Sequence, residues 1–204
     1  FSYMLIDLTQ YIDEQSTVYP GTPPVQISQI ARIEKQGFNE QQISISTHTS
    51  THIDAPYHML SKGKPLSAYP IEYFIGKAVV INVCDQQQIK ADLGNVEKDD
   101  IVFFNTGHQS QCHTSDYFSN PPVISRKTAE ELIKKHVRIV GIDSFTVDSH
   151  PYPVHHLFFN HDICIVEGLI HLEQILQHRF RCYILPLKLR KSDGAPCRVI
   201  AETR

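Results

Sequence analysis

Short runs of β-branched and aromatic residues recur along the chain, separated by polar, Gly- or Pro-containing stretches, and this pattern predicts mainly β-structure. The predicted strands are Tyr3–Leu8, Val25–Ala31, Gln41–Thr47, Lys77–Val83, Ile101–Asn105, Val137–Ile142, Ile163–Glu167, Cys182–Leu189 and Arg198–Ala201. The clearest helical pattern covers Arg126–His136, where Ser125 can cap the N-terminus and Leu132 and Ile133 form an apolar stripe.

The balance of these elements indicates the fold class. Two shorter helices are predicted near Val154–Asn160 and Leu172–Gln177. Because strands outnumber helices and do not alternate strictly with them, we predict an α+β fold in which helices pack on a mixed β-sheet. No repeat, low-complexity tract or linker divides the chain, so residues 1–204 are expected to form a single domain, within the usual range of about 50–250 residues.

Composition and charge exclude several classes of partner. The net charge is -3 and no block of Lys and Arg occurs, so neither nucleic acid nor an anionic membrane is an expected partner. No apolar run approaches the roughly 20 residues of a membrane span, and no basic segment followed by an apolar one opens the chain. We therefore expect a cytoplasmic protein that binds small molecules or copies of itself. Since the chain begins at Phe1 rather than Met, we also expect that residues precede it in the natural protein.

The five cysteines do not indicate a disulfide framework or a thiolate zinc site, because their number is odd and no C-x-x-C spacing occurs. Cys84, Cys164 and Cys182 lie in or beside apolar β-like runs and are interpreted as buried free thiols. A cysteine nucleophile is a weak alternative on this pattern. The glycine-rich motifs of dinucleotide and nucleoside triphosphate sites are also missing from the sequence.

The stretch from Thr47 to His58 holds three histidines and one aspartate, which are His48, His52, Asp54 and His58. One such histidine would most often be an ordinary surface or boundary residue. A cluster of His and Asp side chains at spacings of 4, 2 and 4 is instead typical of a metal or catalytic site. Imidazole nitrogens and carboxylate oxygens bind zinc at about 2.0–2.2 Å.

Such short bonds require a bend in this stretch. In a regular strand His48 and His52 would lie roughly 13 Å apart, and the β-branched residues between them make a helix unfavourable. We therefore predict a sharp turn through Thr49–Thr51. His52 and Asp54 would then project to one side of an extended piece, and Pro56 would direct His58 back toward them.

The residues from His48 to His58 closely resemble the H-x-G-T-H-x-D-x-P-x-H signature of the cyclase family, which includes bacterial kynurenine formamidases and isatin hydrolases. The resemblance extends over nearly the whole chain. It includes Ile6-Asp7-Leu8-Thr9, Tyr19-Pro20-Gly21-Thr22-Pro23-Pro24, Asn105-Thr106-Gly107-His108, Val140-Gly141-Ile142-Asp143, Val147-Asp148, Pro186-Leu187-Lys188-Leu189 and Asp193-Gly194-Ala195-Pro196-Cys197-Arg198. It implies a swivelling β/β/α fold and an assembly of two or more subunits.

This sequence departs from the family pattern at two positions. Ser50 replaces the usual Gly, and serine would be strained there if the backbone needs a positive φ. His108 stands where many relatives have Trp, and the chain contains no Trp at all. The second departure leaves the identity of the substrate open.

A second candidate cluster lies near the end of the run Ile163–Glu167. Glu167 closes a strongly apolar strand, where a buried carboxylate is costly unless it is paired or bound to a metal. The alternative is that Glu167 emerges into solvent and that His155 decorates a helix. By resemblance, however, His155 and Glu167 match the residues that complete the metal centre of the family, and the resemblance assigns a base and proton-shuttle role to His58.

Together these residues predict a metal-dependent hydrolase, and the family resemblance implies that it cleaves an amide C–N bond. His48, His52 and Asp54 could hold one divalent ion and Asp54, His155 and Glu167 a second, with zinc the leading choice and manganese possible. One ion would suffice if His155 or Glu167 acts otherwise. A metal-bound hydroxide would be the nucleophile, because the negative charges of the two carboxylates only partly balance the positive charges of two divalent ions and so favour a bound anion.

The resemblance makes an aryl formamide such as N-formylkynurenine the leading substrate. Tyr57 and His108, with Tyr69 and Phe74, are the aromatic candidates for its pocket, although such residues are more often part of a core. The alternatives are hydrolysis of an isatin-like lactam, a catalytically silent metal- or ligand-binding relative, and a cysteine-dependent hydrolase.

Overall fold

The computed structural model describes residues 3–114, 116–176 and 178–203, and β-structure dominates it. The strands are β1 (Met4–Asp7), β2 (Gln26–Ala31), β3 (Glu40–Ser44), β4 (His52–Asp54), β5 (Ile75–Asn82), β6 (Gln88–Ile89), β7 (Ile101–Asn105), β8 (Val123–Ile124), β9 (Ile139–Ile142), β10 (Cys164–Glu167), β11 (Phe180–Pro186) and β12 (Gly194–Thr203). The α-helices are α1 (Ile33–Gln36), α2 (Arg126–Lys134) and α3 (Pro153–Phe159). Short 3-10 helices occur at Pro56–His58, Leu66–Ala68, Ile71–Phe74, His108–Gln111 and Leu172–Ile175.

The main sheet closes on itself. Its strands follow the order β12-β11-β5-β7-β9-β10-β4, and β4 pairs again with β12, while β1 extends the sheet along the other half of β12. Strands β5, β7, β9 and β10 are parallel to one another, whereas β4, β11 and β12 pair antiparallel with their neighbours. The prediction of a mixed, sheet-dominated fold with few helices is therefore confirmed.

The seven strands that close the sheet, β12, β11, β5, β7, β9, β10 and β4, are called the ring strands. Their alternating side chains form two separate cores, one on each face of the sheet. Along β7, Ile101 and Phe103 belong to one core, and Val102 and Phe104 belong to the other. The first core receives residues from all the ring strands and so fills the interior of the closed sheet. The second core is covered by α2 and α3.

Helix α2 forms where the sequence predicts it. The Ser125 hydroxyl accepts a hydrogen bond from the Thr128 amide at 3.2 Å, which caps the N-terminus as expected. Leu132 is fully buried in the second core, whereas Ile133 is only half-buried. The helix ends at Lys134, two residues before the predicted limit.

Several predicted boundaries were wrong. The strand predicted at Gln41–Thr47 ends at Ser44, since the chain already turns at Thr47. Strand β12 begins at Gly194 rather than at Arg198, because its first residues are supported by pairing with β4 although their composition is typical of a turn. The predicted helix near Leu172 is a short 3-10 helix, and its predicted end at Gln177 lies outside the described residues.

Two smaller sheets lie outside the main sheet. Strands β2 and β3 pair antiparallel and most of their side chains are exposed, and strands β6 and β8 pair in parallel. In the part of the chain that the structure describes, no helix combines the length and the apolarity that crossing a membrane requires.

Strand β4 is the element that brings the candidate site together. It lies between β10 and the first residues of β12, so that Glu167 is opposite His52 and Gly194 is opposite Asp54. The ring closure thus places the histidine motif beside two segments that are distant in sequence.

Candidate metal centre

The first motif contains the sharp turn that the sequence predicts. Ser50 has a φ of 55°, in the left-handed region that favours glycine, and its hydroxyl donates a hydrogen bond to the Tyr11 carbonyl at 3.2 Å. The buried Thr51 hydroxyl donates to the Gly168 carbonyl at 2.6 Å, which fixes the turn against the end of β10. Beyond the turn, the buried strand β4 presents His52 and Asp54, and the following 3-10 helix carries His58.

The second group of residues comes from α3 and β10. Asp148 precedes α3 and accepts hydrogen bonds from the amides of Val154 and His155 at 2.5 and 3.1 Å. These bonds fix the first turn of the helix and so the direction of the His155 side chain. Glu167 at the end of β10 is 5 % exposed, so the alternative in which it emerges into solvent is wrong.

Each of the three candidate histidine ligands has one ring nitrogen fixed by an oxygen acceptor. His48 Nε2 donates to Asp193 Oδ2 at 2.8 Å, and His52 Nδ1 donates to the Ser50 carbonyl at 2.9 Å. His155 Nδ1 donates to Asp148 Oδ1 at 2.5 Å. Because carboxylates and carbonyls only accept, these contacts place a proton on one nitrogen of each ring, and the opposite nitrogens become electron-pair donors once a metal ion displaces any second proton.

Those opposite nitrogens converge on two carboxylates. His48 Nδ1 and His52 Nε2 lie 2.7 and 3.4 Å from Asp54 Oδ1. His52 Nε2 is also 3.5 Å from Glu167 Oε2, and His155 Nε2 is 3.3 Å from Glu167 Oε1. Ligand atoms of His48, His52 and Asp54 lie within 4.8 Å of one another, as do those of Asp54, His155 and Glu167.

This arrangement fits divalent cations. Asp54 Oδ1 is buried and has no hydrogen-bond partner among the described residues, although His48 Nδ1 is 2.7 Å away, so the orientation of that contact is not that of a hydrogen bond. An orphaned carboxylate oxygen with the imidazole nitrogens of His48 and His52 beside it, and the third imidazole nitrogen beside Glu167, form the donor types that zinc and related metals take.

The electrostatics of the cluster favour positive charge. Burial alone would lower the pKa of His48, but the carboxylates of Asp54 and Asp193 outweigh it and raise that pKa to about 9. Burial likewise opposes charge on His155, and Asp148 and Glu167 raise its pKa to about 10. The pKa of Asp54 is lowered, since His48 and His52 outweigh the effect of its burial. The site therefore attracts cations.

His58 lies beside this cluster without joining either of the two ligand groups that contain Asp54. Its ring centroid is 4.1 Å from that of His48, and its Nδ1 is 3.6 Å from Asp193 Oδ2. Burial, together with the positive charge of His48 and His155, lowers the pKa of His58. The side chain is therefore mainly neutral at pH 7 and can accept a proton.

A cavity of about 580 Å³ opens over the candidate site. The five candidate metal ligands and the candidate base line it: His48, His52, Asp54, His155, Glu167 and His58. Its wall also carries Tyr19, Tyr117, Phe118, Phe145 and Tyr152. Three of these rings contact one another: the Phe118 and Phe145 centroids are 4.7 Å apart, and Tyr19 lies 5.7 Å from Phe118 and 6.0 Å from Phe145. The cavity can thus hold an aromatic group close to the candidate metal centre.

The aromatic residues chosen from sequence are not in this wall. Tyr57 is 46 % exposed and lies outside the cavity lining. His108 is buried behind Tyr117, with stacked rings 5.1 Å apart, and its Nε2 donates to the Tyr117 carbonyl at 2.8 Å. Tyr69 and Phe74 pack in the first core, inside the closed sheet, instead.

Sequence reasoning missed two acids and the aromatic wall. Asp148 and Asp193 each bind a candidate histidine ligand, and both stand in segments that resemble the family, but a lone Asp in a loop gives no local signal. Tyr19, Phe118 and Phe145 come from three separate segments, and only the tertiary structure brings them together.

Comparisons with known proteins identify similar sequences. The model of the Cyclase family, described as "Putative cyclase", matches residues 6–149. A kynurenine formamidase of Geobacillus thermodenitrificans (strain NG80-2) is 32% identical over 198 residues, which cover 95% of this chain and 94% of the relative.

Solved structures share the fold. Isatin hydrolase A from Labrenzia aggregata, bound to benzyl benzoate, matches with a TM-score of 0.89 and 24% identity over 98% of this chain and 94% of its own. A "predicted metal-dependent hydrolase" from Bacillus stearothermophilus matches with a TM-score of 0.84 and 25% identity over 100% of both chains. The family match over most of the sequence, together with the formamidase relative, establishes that this chain belongs to the cyclase family.

Proposed function

We propose that this protein is a metal-dependent hydrolase of an amide C–N bond, with an aryl formamide such as N-formylkynurenine as its leading substrate. The observation that carries the proposal is the convergence of three imidazole nitrogens on Asp54 and Glu167 beneath an aromatic cavity. The kynurenine formamidase relative supports the choice of substrate.

The ligand groups define how metals would be held. His48, His52 and Asp54 would hold one ion, and Asp54, His155 and Glu167 would hold a second, with Asp54 shared. We propose zinc, with manganese as the alternative, because imidazole and carboxylate ligands suit both. When bound, such an ion supplies Lewis-acid polarisation of a carbonyl and lowers the pKa of water.

The remaining steps belong to side chains of this protein. His58, neutral at pH 7, would accept a proton from the attacking water at Nε2, the ring nitrogen that does not face Asp193, and then deliver it to the leaving nitrogen. Tyr19, Phe118 and Phe145 would hold the aryl group and keep bulk water from the reacting carbonyl.

The test measures metal content and hydrolysis on the same sample. Elemental analysis should find zinc or manganese, and a panel containing an aryl formamide, an isatin-like lactam and a simple alkyl formamide should show turnover of the aryl formamide above the others. Faster opening of the lactam would move the assignment to the isatin-hydrolase alternative. Tight binding of these compounds without cleavage would favour the silent relative.

The cysteine-dependent alternative has a separate test. Cys112 lies in the cavity wall, but its described Sγ contacts are Gln10 and Thr17 and not a histidine that would activate it. Burial raises the pKa of Cys164, Cys182 and Cys197, which makes these thiols poor nucleophiles. Activity that survives each Cys→Ala substitution would exclude this mechanism.

Asp148 provides a prediction about metal affinity. The Asp148→Asn variant should bind zinc about 10–100-fold more weakly, because the carboxylate that fixes the tautomer and direction of His155 is lost. Competition with a chromophoric chelator measures the affinity. Asp92→Asn, at an exposed loop acid, is the control and should bind zinc normally; an unchanged affinity in Asp148→Asn would contradict the prediction.

We further propose that the protein assembles as a homodimer or larger homo-oligomer. The β2–β3 hairpin supports this, because it exposes Ile30, Ile33, Phe38 and Ile43 by 51–58 % and a lone hairpin is marginally stable in water. One Arg and one Lys balance two Glu residues over positions 26–44, so that copies of the hairpin would not repel one another.

This proposal predicts that Phe38→Glu lowers the assembly state, which sedimentation velocity measures. A charge placed in an apolar contact between subunits is left without a partner when that contact forms. Glu34→Gln on the same hairpin is the matched control. A wild-type protein that sediments as a monomer would overturn the proposal.

The other expectations from sequence stay proposals as well. We propose that residues 1–204 form one domain of the swivelling β/β/α type. We also propose that the protein acts in the cytoplasm, since all five cysteines are unpaired, as is usual in a reducing compartment.

A further inference from the structure

We propose that Asp193 is a positioning residue shared by a metal ligand, His48, and the base, His58. Nothing in the histidine motif points to this residue, which is 145 positions from His48 in the sequence. The role of Asp193 in turnover rests on the proposed hydrolytic function. Its role in metal binding does not depend on that function.

The backbone of Asp193 is held against the motif. The Ala55 amide donates a hydrogen bond to the Asp193 carbonyl at 2.8 Å, and the next residue, Gly194, pairs with Asp54 across the β4–β12 ladder. A Cβ at Gly194 would lie 2.8 Å from the Ile53 carbonyl oxygen and 3.0 Å from His48 Cε1. Only glycine therefore permits this approach, which sets Asp193 beside both histidines.

The side chain of Asp193 is also fixed. Its Oδ1 accepts a hydrogen bond from the Thr47 hydroxyl at 3.1 Å, so that Oδ2 is turned toward the two imidazoles. Oδ2 lies 2.8 Å from His48 Nε2, a hydrogen bond, and 3.6 Å from His58 Nδ1, an electrostatic contact. One carboxylate oxygen thus faces two rings with different tasks.

These contacts give Asp193 two effects. By accepting the Nε2 proton of His48 it orients that ring so that Nδ1 is aimed at the space beside Asp54, where a metal ion would replace its proton. By facing Nδ1 of His58 it favours the proton on that nitrogen and leaves Nε2 as the basic atom. The same residue therefore orients a ligand for the metal and the base for the water.

The experiment compares the zinc-loaded wild type with Asp193→Ala, His58→Ala and the double variant. Asp193→Ala should bind zinc about 10–100-fold more weakly by chelator competition. At saturating zinc it should lower kcat and leave KM nearly unchanged. In the His58→Ala background the same substitution should still weaken zinc binding but cause no further loss of kcat, because its effect on turnover acts through His58.

Asp148→Ala is the matched control, because Asp148 supports a ligand, His155, and has no described contact with His58. Its effect on kcat at saturating zinc should be the same with and without His58. Independent losses of kcat from Asp193→Ala and His58→Ala would overturn the shared role. Unchanged zinc affinity would overturn the support of His48, and fewer ions bound per chain would make Asp193 a ligand instead.

A readout without turnover separates this proposal from the proposed function. Ring ¹⁵N spectra of the zinc-loaded protein, with the His58 signals assigned from His58→Ala, report the tautomer of His58. We expect the Nδ1–H form in the wild type and its loss in Asp193→Ala. If no amide is cleaved by the wild type, the proposed function fails, while zinc affinity and the His58 tautomer still decide the role of Asp193.

Discussion

The Asp54→Asn variant is expected to lose bound metal and hydrolytic activity together. Asp54 is 1 % exposed, is shared by both candidate ligand groups, and has an Oδ1 that faces His48 and His52. The substitution keeps the size of the side chain but removes the charge, so the histidine nitrogens no longer surround an anionic ligand. Because a catalytic ion contributes several kcal/mol to transition-state stabilisation, kcat/KM should fall on the order of 10³-fold or more.

Elemental analysis after dialysis, combined with kinetics on the same sample, measures both effects. Asp92→Asn is the matched control, because it makes the same chemical change at an exposed acid whose Oδ1 accepts from the Gly94 amide. Circular dichroism establishes that the Asp54 variant is folded. A folded variant that keeps its full metal content and activity would refute the assignment of Asp54.

The His58→Ala variant should show the opposite combination, with metal retained and turnover lost. His58 is outside both ligand groups that contain Asp54, and its lowered pKa keeps it ready to accept a proton. Loss of a general acid–base residue typically costs about 10²–10⁴-fold in rate. The zinc content should stay at the wild-type level, and the loss should appear mainly in kcat.

His161→Ala is the control for this experiment. His161 is an exposed histidine beyond the end of α3, where its Nδ1 contacts the Leu157 carbonyl. Both variants should bind the same amount of zinc, and only the His58 variant should be slow. Normal turnover without His58 would eliminate its role as the base, and loss of metal would make it a ligand.

The two variants together separate the functions within one short motif. Asp54 and His58 are four residues apart and line the same cavity. Different outcomes for metal content would therefore reflect their chemistry and not a general collapse of the site.

The sequence predicted much of the local structure. Strand β7 has the bounds Ile101–Asn105 that its apolar run predicts, and α2 begins after the Ser125 cap. The turn at Ser50 also follows from the need to bring His48 and His52 to one point. These features depend on neighbouring residues, through side-chain periodicity, capping and backbone sterics.

The sequence was less informative where support comes from distant strands. The start of β12 contains Gly194 and Pro196, whose propensities oppose a strand, and pairing with β4 overrides them. Tyr57 is near the motif in sequence but likewise lies outside the cavity. Distance along the chain is a poor guide to which side chains share a surface.

By itself, then, the sequence determined the elements and the donor types: a strand-rich chain whose histidines and acids suit a divalent metal. Only the tertiary structure decided which acids support which histidines, because Asp193 and Asp148 reach His48 and His155 through the closed sheet and the first turn of α3. The physical reason is that periodicity and propensity act over a few residues. Closure of the sheet pairs β4 with β12, and these strands are too far apart in the sequence for any local pattern to predict their pairing.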